Sequence, residues 1–175
     1  MLEEQPDKKI AVIDSRSAGS ELVLLVKKIC ELIESGTDFE TVVEKAELYS
    51  RHTHVVFALS SFNNLVKNGR MSKIVGFVAN KLGFWGIGIG SEQGTIEIKQ
   101  KIRGSKKALD AIIEDMKERG YNCGKVVISH CRNAEFAESV KSAIQSVWDK
   151  AEVKIVHARG LCSYYAEKGG LIIGF

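Results

Sequence analysis

The spacing of apolar and polar residues along the chain predicts helices interleaved with strands. Apolar residues recur every three or four positions in four segments, which is the spacing of amphipathic helices. These segments cover residues 21–34, 39–49, 105–119 and 134–148. Shorter apolar runs, bounded by glycines or polar residues, predict strands. These runs cover residues 10–13, 55–59, 86–89, 95–102, 125–129, 152–157 and 170–175. Residues 158–168 are expected to form a loop, and the whole pattern predicts an α+β fold in which helices cover a mixed β-sheet.

The most apolar part of the chain is residues 54–90, where a strand and two helical patterns follow one another. The first helical pattern surrounds Leu65, and the second begins at Ser72. The polar groups gather at the turn between the two patterns, at Asn68, Arg70, Ser72 and Lys73. An apolar body with a few convergent polar groups is typical of a site for an amphipathic small molecule. The alternative is that a core strand and two core helices are joined by an Asn-Gly turn.

The predicted elements divide the chain near residue 52. From residue 54 onwards the pattern is that of a self-contained α+β domain. The strand at 10–13 stands alone before two helices, and a lone strand leaves the hydrogen-bonding groups on both of its edges unpaired. We therefore expect this strand to take its neighbours from elsewhere.

Composition narrows the class of protein. The formal net charge of +3 is too small to predict a nucleic-acid-binding surface. No apolar run approaches the roughly 18 residues that a membrane-spanning helix needs. The four cysteines, Cys30, Cys123, Cys131 and Cys162, have no C-x-x-C spacing and are expected to be reduced thiols. Because the first residues also lack the apolar core of a signal peptide, these features predict a cytoplasmic protein.

Motifs for catalysis and metal binding are weak. The run Gly86-Ile87-Gly88-Ile89-Gly90 resembles a dinucleotide-binding loop, but a turn and a strand follow where such a loop needs a helix N-terminus. We expect these glycines to permit close approach of backbone or ligand instead. His52 and His54 lack a third ligand at zinc spacing, and His130-Cys131 has no recognisable acid or base partner. We predict no catalytic residue, no metal and no cofactor.

Four segments, in order along the chain, resemble segments of the DegV family of fatty-acid-binding proteins. The longest is His52-Thr53-His54-Val55-Val56-Phe57-Ala58-Leu59 followed by Asn68-Gly69-Arg70-Met71-Ser72-Lys73. The others are residues 13–18, 101–109 and 169–175, which read IDSRSA, KIRGSKKAL and GGLIIGF. The resemblance implies a DegV-like second domain at residues 53–175. It also implies that residues 1–52 are a strand and two helices left from an N-terminal α/β domain, so that the chain is expected to be truncated or to pair its first strand with another protein.

The resemblance further implies an intracellular carrier that holds a long-chain fatty acid with its tail in an apolar tunnel. Burial of each methylene contributes about 0.8 kcal/mol, so burial of the tail alone could give tight binding. The residues implied to line the tunnel are apolar and lie between positions 57 and 87. They are Phe57, Leu59, Phe62, Leu65, Met71, Val75, Val78, Leu82, Phe84 and Ile87.

Polar residues are expected to hold the ligand carboxylate. Arg70 and Ser72 place a guanidinium beside a helix N-terminus, which suits an anion, although Arg70 could equally cap carbonyl groups in a turn. Ser15 and Ser17 place hydroxyls between a strand end and a helix start. Tyr165 falls at or beside the position where many members of the family have a histidine near the carboxylate. A phenol donates one hydrogen bond but is neutral at pH 7, so this departure weakens the expectation of carboxylate binding.

Arg103 is the expected partner-binding residue. A strand enters a helix at this position, and the resemblance aligns Arg103 with an arginine of kinase-linked members. The expected partners are therefore a fatty acid and a fatty acid kinase subunit, with self-association through exposed apolar surface also expected. Two alternatives stay open: a relative of kinase substrate domains with a role in phosphoryl transfer, and a structural remnant that docks another subunit.

Overall fold

The computed structural model describes residues 8–71, 83–91 and 93–175. In these residues the strands are β1 (Val55–Leu59), β2 (Phe84–Gly90), β3 (Ile96–Arg103), β4 (Lys125–His130), β5 (Glu152–His157) and β6 (Leu171–Gly174). They form one sheet in the order β3-β2-β1-β6-β4-β5. Strands β4 and β5 run parallel, and all other neighbours in the sheet are antiparallel. The predicted mixed sheet is thus confirmed.

The helices in the described part of the chain are α1 (Ser20–Glu34), α2 (Phe39–Ser50), α3 (Asn63–Lys67), α4 (Ser105–Glu118), α5 (Ala134–Val147) and α6 (Gly160–Ala166). The four amphipathic segments correspond to α1, α2, α4 and α5, so those predictions are confirmed. The prediction of a loop over 158–168 is wrong, because α6 occupies most of it. A helix of seven residues is too short to show a helical period in its sequence. The helical pattern expected from Ser72 onwards lies outside the described residues.

The strand predicted at residues 10–13 is not formed. This segment belongs to neither helix nor strand, and the side chain of Val12 is 87% exposed. The sheet ends at β3 on one side and at β5 on the other, and neither edge is paired with these residues. An apolar run becomes a strand only where an edge receives its backbone groups, and here none does.

The larger core lies between one face of the sheet and helices α4 and α5. Ile112 and Met116 of α4 and Val140 and Ile144 of α5 are completely buried in it. Burial of each of these large side chains contributes roughly 1.5–3 kcal/mol. This layer is therefore the main apolar support of the sheet, and it leaves the opposite face for other elements.

Helix α1 packs on the opposite face, against β4 and β6. The hydroxyl of Ser20, the first residue of α1, is buried and donates to the backbone oxygen of Ile172 at 2.6 Å. The backbone N–H of Ser129 donates to the same hydroxyl oxygen at 3.2 Å. These bonds anchor the start of α1 and hold the preceding residues beside β6 and β1. The domain boundary at residues 52–53 stays a prediction.

None of the helices in the described ranges has both the length and the apolar character that crossing a membrane requires.

Candidate functional site

On the face of the sheet that carries α1, much of β2 consists of glycines, which have no side chains. Phe57 and Leu59 point to this face, and their antiparallel partners in β2 are Gly88 and Gly86. A Cβ atom on Gly88 would lie 2.4 Å from the ring of Phe57, and one on Gly86 would lie 2.1 Å from the ring of Phe62. The two rings therefore lie directly on the backbone of β2. At Gly88 the backbone oxygen of Glu97 also comes within 2.4 Å of the Cβ position, so the expected close approach of backbone is observed there, while at Gly86 a side-chain ring makes the approach.

A cavity of about 930 Å³ lies over this face. Strand β1 and Ile172 of β6 form its floor, and its walls are the segment 13–18, the turn between β2 and β3, the residues of α3 and after it, and α6. The structure places seven of the predicted ligand-binding residues against it: Ser15, Ser17, Phe57, Leu59, Leu65, Arg70 and Tyr165. Its volume is within the roughly 300–1,000 Å³ that is usual for small-molecule sites.

The cavity has two polar ends, one at the start of β1 and one beyond its end. At the start of β1 lies the turn between β2 and β3, where a Cβ on Gly94 would be 3.2 Å from the backbone oxygen of Arg16. After the end of β1, the wall is formed by α3 and Arg70. Strand β1 has five residues, so at about 3.4 Å per residue the two ends are roughly 15 Å apart. An elongated ligand that lies along β1 would meet different polar groups at its two ends.

Arg70 and Tyr165 form the polar end that follows β1. The guanidinium of Arg70 donates to the backbone oxygen of Asn68 at 2.9 Å, and its Cζ lies 6.0 Å from the centre of the Tyr165 ring. Arg70 is exposed and Tyr165 is half-buried. The structure thus combines both interpretations of Arg70, since it contacts a turn carbonyl and also lines the cavity. A guanidinium has five N–H donors, so the carbonyl contact leaves donors for an anion.

Ser15 and Ser17 line the cavity from the segment before α1, and each is part of a local hydrogen-bond network. The hydroxyl of Ser17 donates to the carboxylate of Glu21, which also accepts from the hydroxyl of Thr53 at 2.9 Å. Because a hydroxyl has one proton, Ser17 has none left for a ligand carboxylate. The hydroxyl oxygen of Ser15 accepts from the backbone N–H of Ser17 at 3.4 Å, which leaves the proton of Ser15 available. Sequence reasoning missed Glu21, which is only 7% exposed, because its spacing indicated nothing beyond the first turn of α1.

Phe62, Leu65 and Met71 belong to a small apolar cluster on the cavity face. Phe62 and Leu65 are almost completely buried, and Met71 packs against them. Leu65 reaches the cavity, whereas Phe62 lies beneath it on Gly86. The cluster therefore supports the α3 wall, and of these three side chains only Leu65 is in a position to touch a ligand in the cavity.

Two further tunnel candidates lie elsewhere. Ile87 is completely buried in the larger core, on the opposite face of the sheet, so its prediction as a tunnel residue is wrong for this cavity. Alternation along β2 sends the glycines to the cavity face and Ile87 to the helices α4 and α5. Phe84 begins β2, where Arg103 lies over its ring, and it does not line the cavity. Ser72, Val75, Val78 and Leu82 lie outside the described residues.

Arg103 ends β3, the edge strand, and is exposed. Its Cζ lies 5.9 Å from the centre of the Phe84 ring. Lys101 and Lys107 lie with it around a shallow surface depression that also includes Asp110 and Glu114. This surface is separate from the 930 Å³ cavity, and no residue lines both. Arg103 therefore does not touch the contents of the cavity, and its role as a partner-binding residue stays a prediction.

The sequence did not predict that a helix, α6, forms one wall of the cavity. Leu161, Cys162 and Ala166 line the cavity from this helix, and the turn residues Gln93 and Thr95 line it from the other end. Burial raises the pKa of the Cys162 thiol, so this group is neutral at pH 7 and adds no charge to the cavity. The turn was visible in the sequence, but its contact with the segment 13–18 depends on tertiary packing.

Comparison with known proteins decides the family. A family model described as "Uncharacterised protein, DegV family" matches residues 1–175. The chain belongs to the DegV family. A DegV domain-containing protein from Streptococcus pneumoniae is 44% identical to it over 174 residues, which are 99% of this chain and 62% of that relative. The chain thus spans about three fifths of the length of the curated relatives that it matches.

Solved structures show the same fold. The fatty acid kinase B3 protein of Streptococcus pneumoniae, loaded with linoleic acid, is 44% identical and superposes with a TM-score of 0.96, covering 99% of this chain and 62% of that one. A DegV family protein from Eubacterium eligens, loaded with heptadecanoic acid, is 38% identical with a TM-score of 0.96, covering 99% of this chain and 63% of that one. The α+β fold is therefore that of DegV proteins that hold fatty acids.

Proposed function

We propose that this chain binds a long-chain fatty acid in the 930 Å³ cavity and acts as a carrier, not as an enzyme. The observation that carries the proposal is the lining of the cavity, which combines apolar side chains of β1 with Arg70 and Tyr165 beyond the end of that strand. The two related proteins loaded with linoleic and heptadecanoic acid support the same ligand class. The apolar floor suits an alkyl chain, and the polar end suits its head group.

The energetics of the tail favour this ligand. Each methylene transferred from water to an apolar site contributes about 0.8 kcal/mol. Phe57, Leu59 and Ile172 supply the apolar floor on which such a chain would lie. Because Gly86 and Gly88 have no side chains, the rings of Phe57 and Phe62 sink onto β2. This arrangement keeps space open above the strand.

We assign the ligand carboxylate to the Arg70 and Tyr165 end. A charge-assisted hydrogen bond from a guanidinium contributes about 1.5–3 kcal/mol, more than a hydroxyl provides. At the segment before α1, by contrast, Ser17 is committed to the buried carboxylate of Glu21. That negative charge disfavours a second carboxylate nearby. The segment with Ser15 and Ser17 would therefore contact the tail.

The proposal includes a kinase partner in the cytoplasm. The related protein from Streptococcus pneumoniae is named as a fatty acid kinase component. Arg103 lies on an exposed edge strand with lysines around it, outside the cavity, so it is free to contact a kinase while a fatty acid is bound. The exposed thiols of Cys30 and Cys123 suit a reducing compartment.

Titration calorimetry with oleate below its micelle concentration tests the proposal. We expect binding with one site per chain, and we expect Arg70→Ala to weaken it about tenfold or more, since the loss of one charge-assisted bond is of that order. Arg51→Ala, which removes an exposed arginine after α2, is the matched control and should leave the affinity unchanged. No binding by the unaltered chain, or equal losses in both variants, would contradict the proposal.

A further inference from the structure

Helix α6 and the residues around α3 are joined by side-chain hydrogen bonds at the Arg70 end of the cavity. One carboxylate oxygen of Glu167 accepts from the hydroxyl of Ser61 at 2.6 Å. The other accepts from the backbone N–H of Asn64 at 2.9 Å. Glu167 thereby satisfies a backbone donor in the first turn of α3, which no side chain within α3 satisfies. One side chain from the residues after α6 thus fixes where α3 begins.

Two asparagines of the α3 region add bonds to α6. The side-chain amide of Asn64 donates to the backbone oxygen of Tyr164 at 2.8 Å, and that of Asn68 donates to the Tyr164 hydroxyl at 3.0 Å. We call these residues, Ser61, Asn64, Asn68, Tyr164 and Glu167, the α3–α6 latch. All are at least partly exposed, so water can replace their mutual bonds. The latch can therefore open without burying an unpaired polar group.

The backbone of Glu167 indicates that its position matters. Its φ of 53° and ψ of 177° lie in a region that residues with a Cβ rarely adopt. A strained conformation of this kind persists only where surrounding contacts hold it. The carboxylate bonds to Ser61 and Asn64 are such contacts, so the strain and the latch depend on one another.

The two sides of the latch carry opposite walls of the cavity. Leu65 and Arg70 lie on the α3 side, and Tyr165 and Ala166 lie on the α6 side. Helix α3 has five residues, which is too short for its own hydrogen bonds to keep it helical. Opening the latch would remove the polar contacts between α3 and α6 and leave α3 held by the buried side chains of Phe62 and Leu65. The polar side of α3 could then shift away from α6 and widen the cavity at Arg70.

We infer that Glu167 is a positioning residue that closes the cavity by holding α3 on α6 and so sets the rate at which ligand enters and leaves. The inference rests on the proposed function, because it concerns access to the same cavity. Glu167 does not line the cavity, and it acts through the placement of Arg70 and Tyr165. Loss of the carboxylate should speed release and entry together, which distinguishes a gate from a lost ligand contact.

Stopped-flow release of a fluorescent long-chain fatty acid, chased with excess oleate, tests this inference. In Glu167→Gly, which removes the carboxylate and the backbone strain together, we expect the release rate to rise at least fivefold and the association rate to rise as well. Glu167→Gln keeps one oxygen to accept from Asn64, so its release rate should lie between those of the unaltered chain and Glu167→Gly. Glu138→Gly is unsuitable as a control because it breaks α5; Glu138→Gln, on the exposed side of α5, should leave both rates unchanged.

Hydrogen exchange of the ligand-free chain provides a second readout. The amides of residues 64–70 should exchange faster in Glu167→Gly, while those of α5 keep their protection. Release and exchange that are unchanged in Glu167→Gly, with normal binding by the unaltered chain, would overturn the gate and leave the proposed function standing. Absence of fatty acid binding by the unaltered chain would overturn the proposed function and the gate with it. A large loss of equilibrium affinity with an unchanged association rate would assign Glu167 to ligand contact and overturn the gate.

Discussion

The ring of Phe57 occupies the space into which a side chain on Gly88 would project, with a ring carbon 2.4 Å from the Cβ position. The backbone oxygen of Glu97 lies at the same distance on the neighbouring strand. A methyl group on Gly88 must therefore displace the ring and also press on backbone. The Phe57 ring can move aside only by swinging into the cavity, and the Glu97 oxygen cannot move without shifting the backbone of β3.

Gly88→Ala is accordingly expected to destabilise the protein by about 1–3 kcal/mol, the usual cost of overpacking. It should also push Phe57 into the cavity and weaken oleate binding. Urea unfolding and calorimetry measure the two effects. Gly90→Ala is the matched control, since its Cβ would be 3.0 Å from a single methyl group of Val55, which can rotate away. Equal stability of the two variants would contradict this account of the glycine run.

A second prediction concerns the ion pairs of Asp115, one of which joins α4 to the edge strand β3. The buried carboxylate of Asp115 accepts from Lys99 Nζ and from Arg119 Nε, both at 2.8 Å. Asp115→Asn leaves both cations without that charge, though each is partly exposed and can be hydrated. We expect a loss of about 1–3 kcal/mol in the free energy of unfolding. Glu118→Gln removes an exposed partner of the same Lys99 and should cost at most about 1 kcal/mol. Similar losses in the two variants would show that burial of Asp115 is unimportant.

A third prediction concerns pH. Burial, and secondly the neighbouring His157, lower the pKa of His130. The two rings are 4.5 Å apart, and His130 Nδ1 accepts the backbone N–H of Asn133 at 3.1 Å, so the folded state favours the neutral ring. The unfolded chain takes up the proton more readily. The contribution to stability is therefore complete above about pH 6.5 and is lost as pH falls from there towards the lowered pKa.

Urea unfolding between pH 8 and pH 5 measures this effect. The midpoint should be constant at the upper end and should fall below about pH 6.5. His130→Asn keeps an acceptor for Asn133 but does not titrate, so its midpoint should fall less. Some decline will remain, since burial also lowers the pKa of His54. In His54→Asn this remaining decline should shrink, while the contribution of His130 stays. An identical pH profile in His130→Asn would exclude His130 as the source.

The sequence predicted the elements whose signal is local. Helices α1, α2, α4 and α5 repeat their apolar positions over three or more turns, so the sequence shows which face of each helix packs against the rest of the protein. Residues 10–13 carry the same apolar signal as a strand, but strand formation requires a partner edge, which local sequence does not report. The prediction for α6 was wrong because a true helix left no signal in the sequence. Its seven residues are held by contacts with α3 and are too few to show a helical period.

The candidate site was partly predictable for similar reasons. The resemblance to the DegV family brought Ser15, Phe57, Arg70 and Tyr165 into one hypothesis, and the fold brings all four to one cavity. Alternation could show that Gly86 and Ile87 face opposite ways, but not which face has the cavity. Glu167 carries no local signal, because its role depends on contacts with residues about a hundred positions earlier in the chain.

The last prediction separates the cavity from the partner surface. Arg103 lies outside the cavity, against the ring of Phe84 at the end of the edge strand. Arg103→Ala should therefore leave the affinity for oleate within about twofold, because a substitution that touches neither ligand nor wall changes binding by less than about 0.5 kcal/mol. With a fatty acid kinase subunit and ATP, the same variant should slow phosphorylation of the bound fatty acid, since the proposed contact loses its exposed cation. Lys154→Ala, on the opposite edge strand β5, is the control and should change neither quantity. Equal losses of oleate affinity and of phosphorylation would place Arg103 in the ligand site, and no loss of either would remove it from the kinase contact.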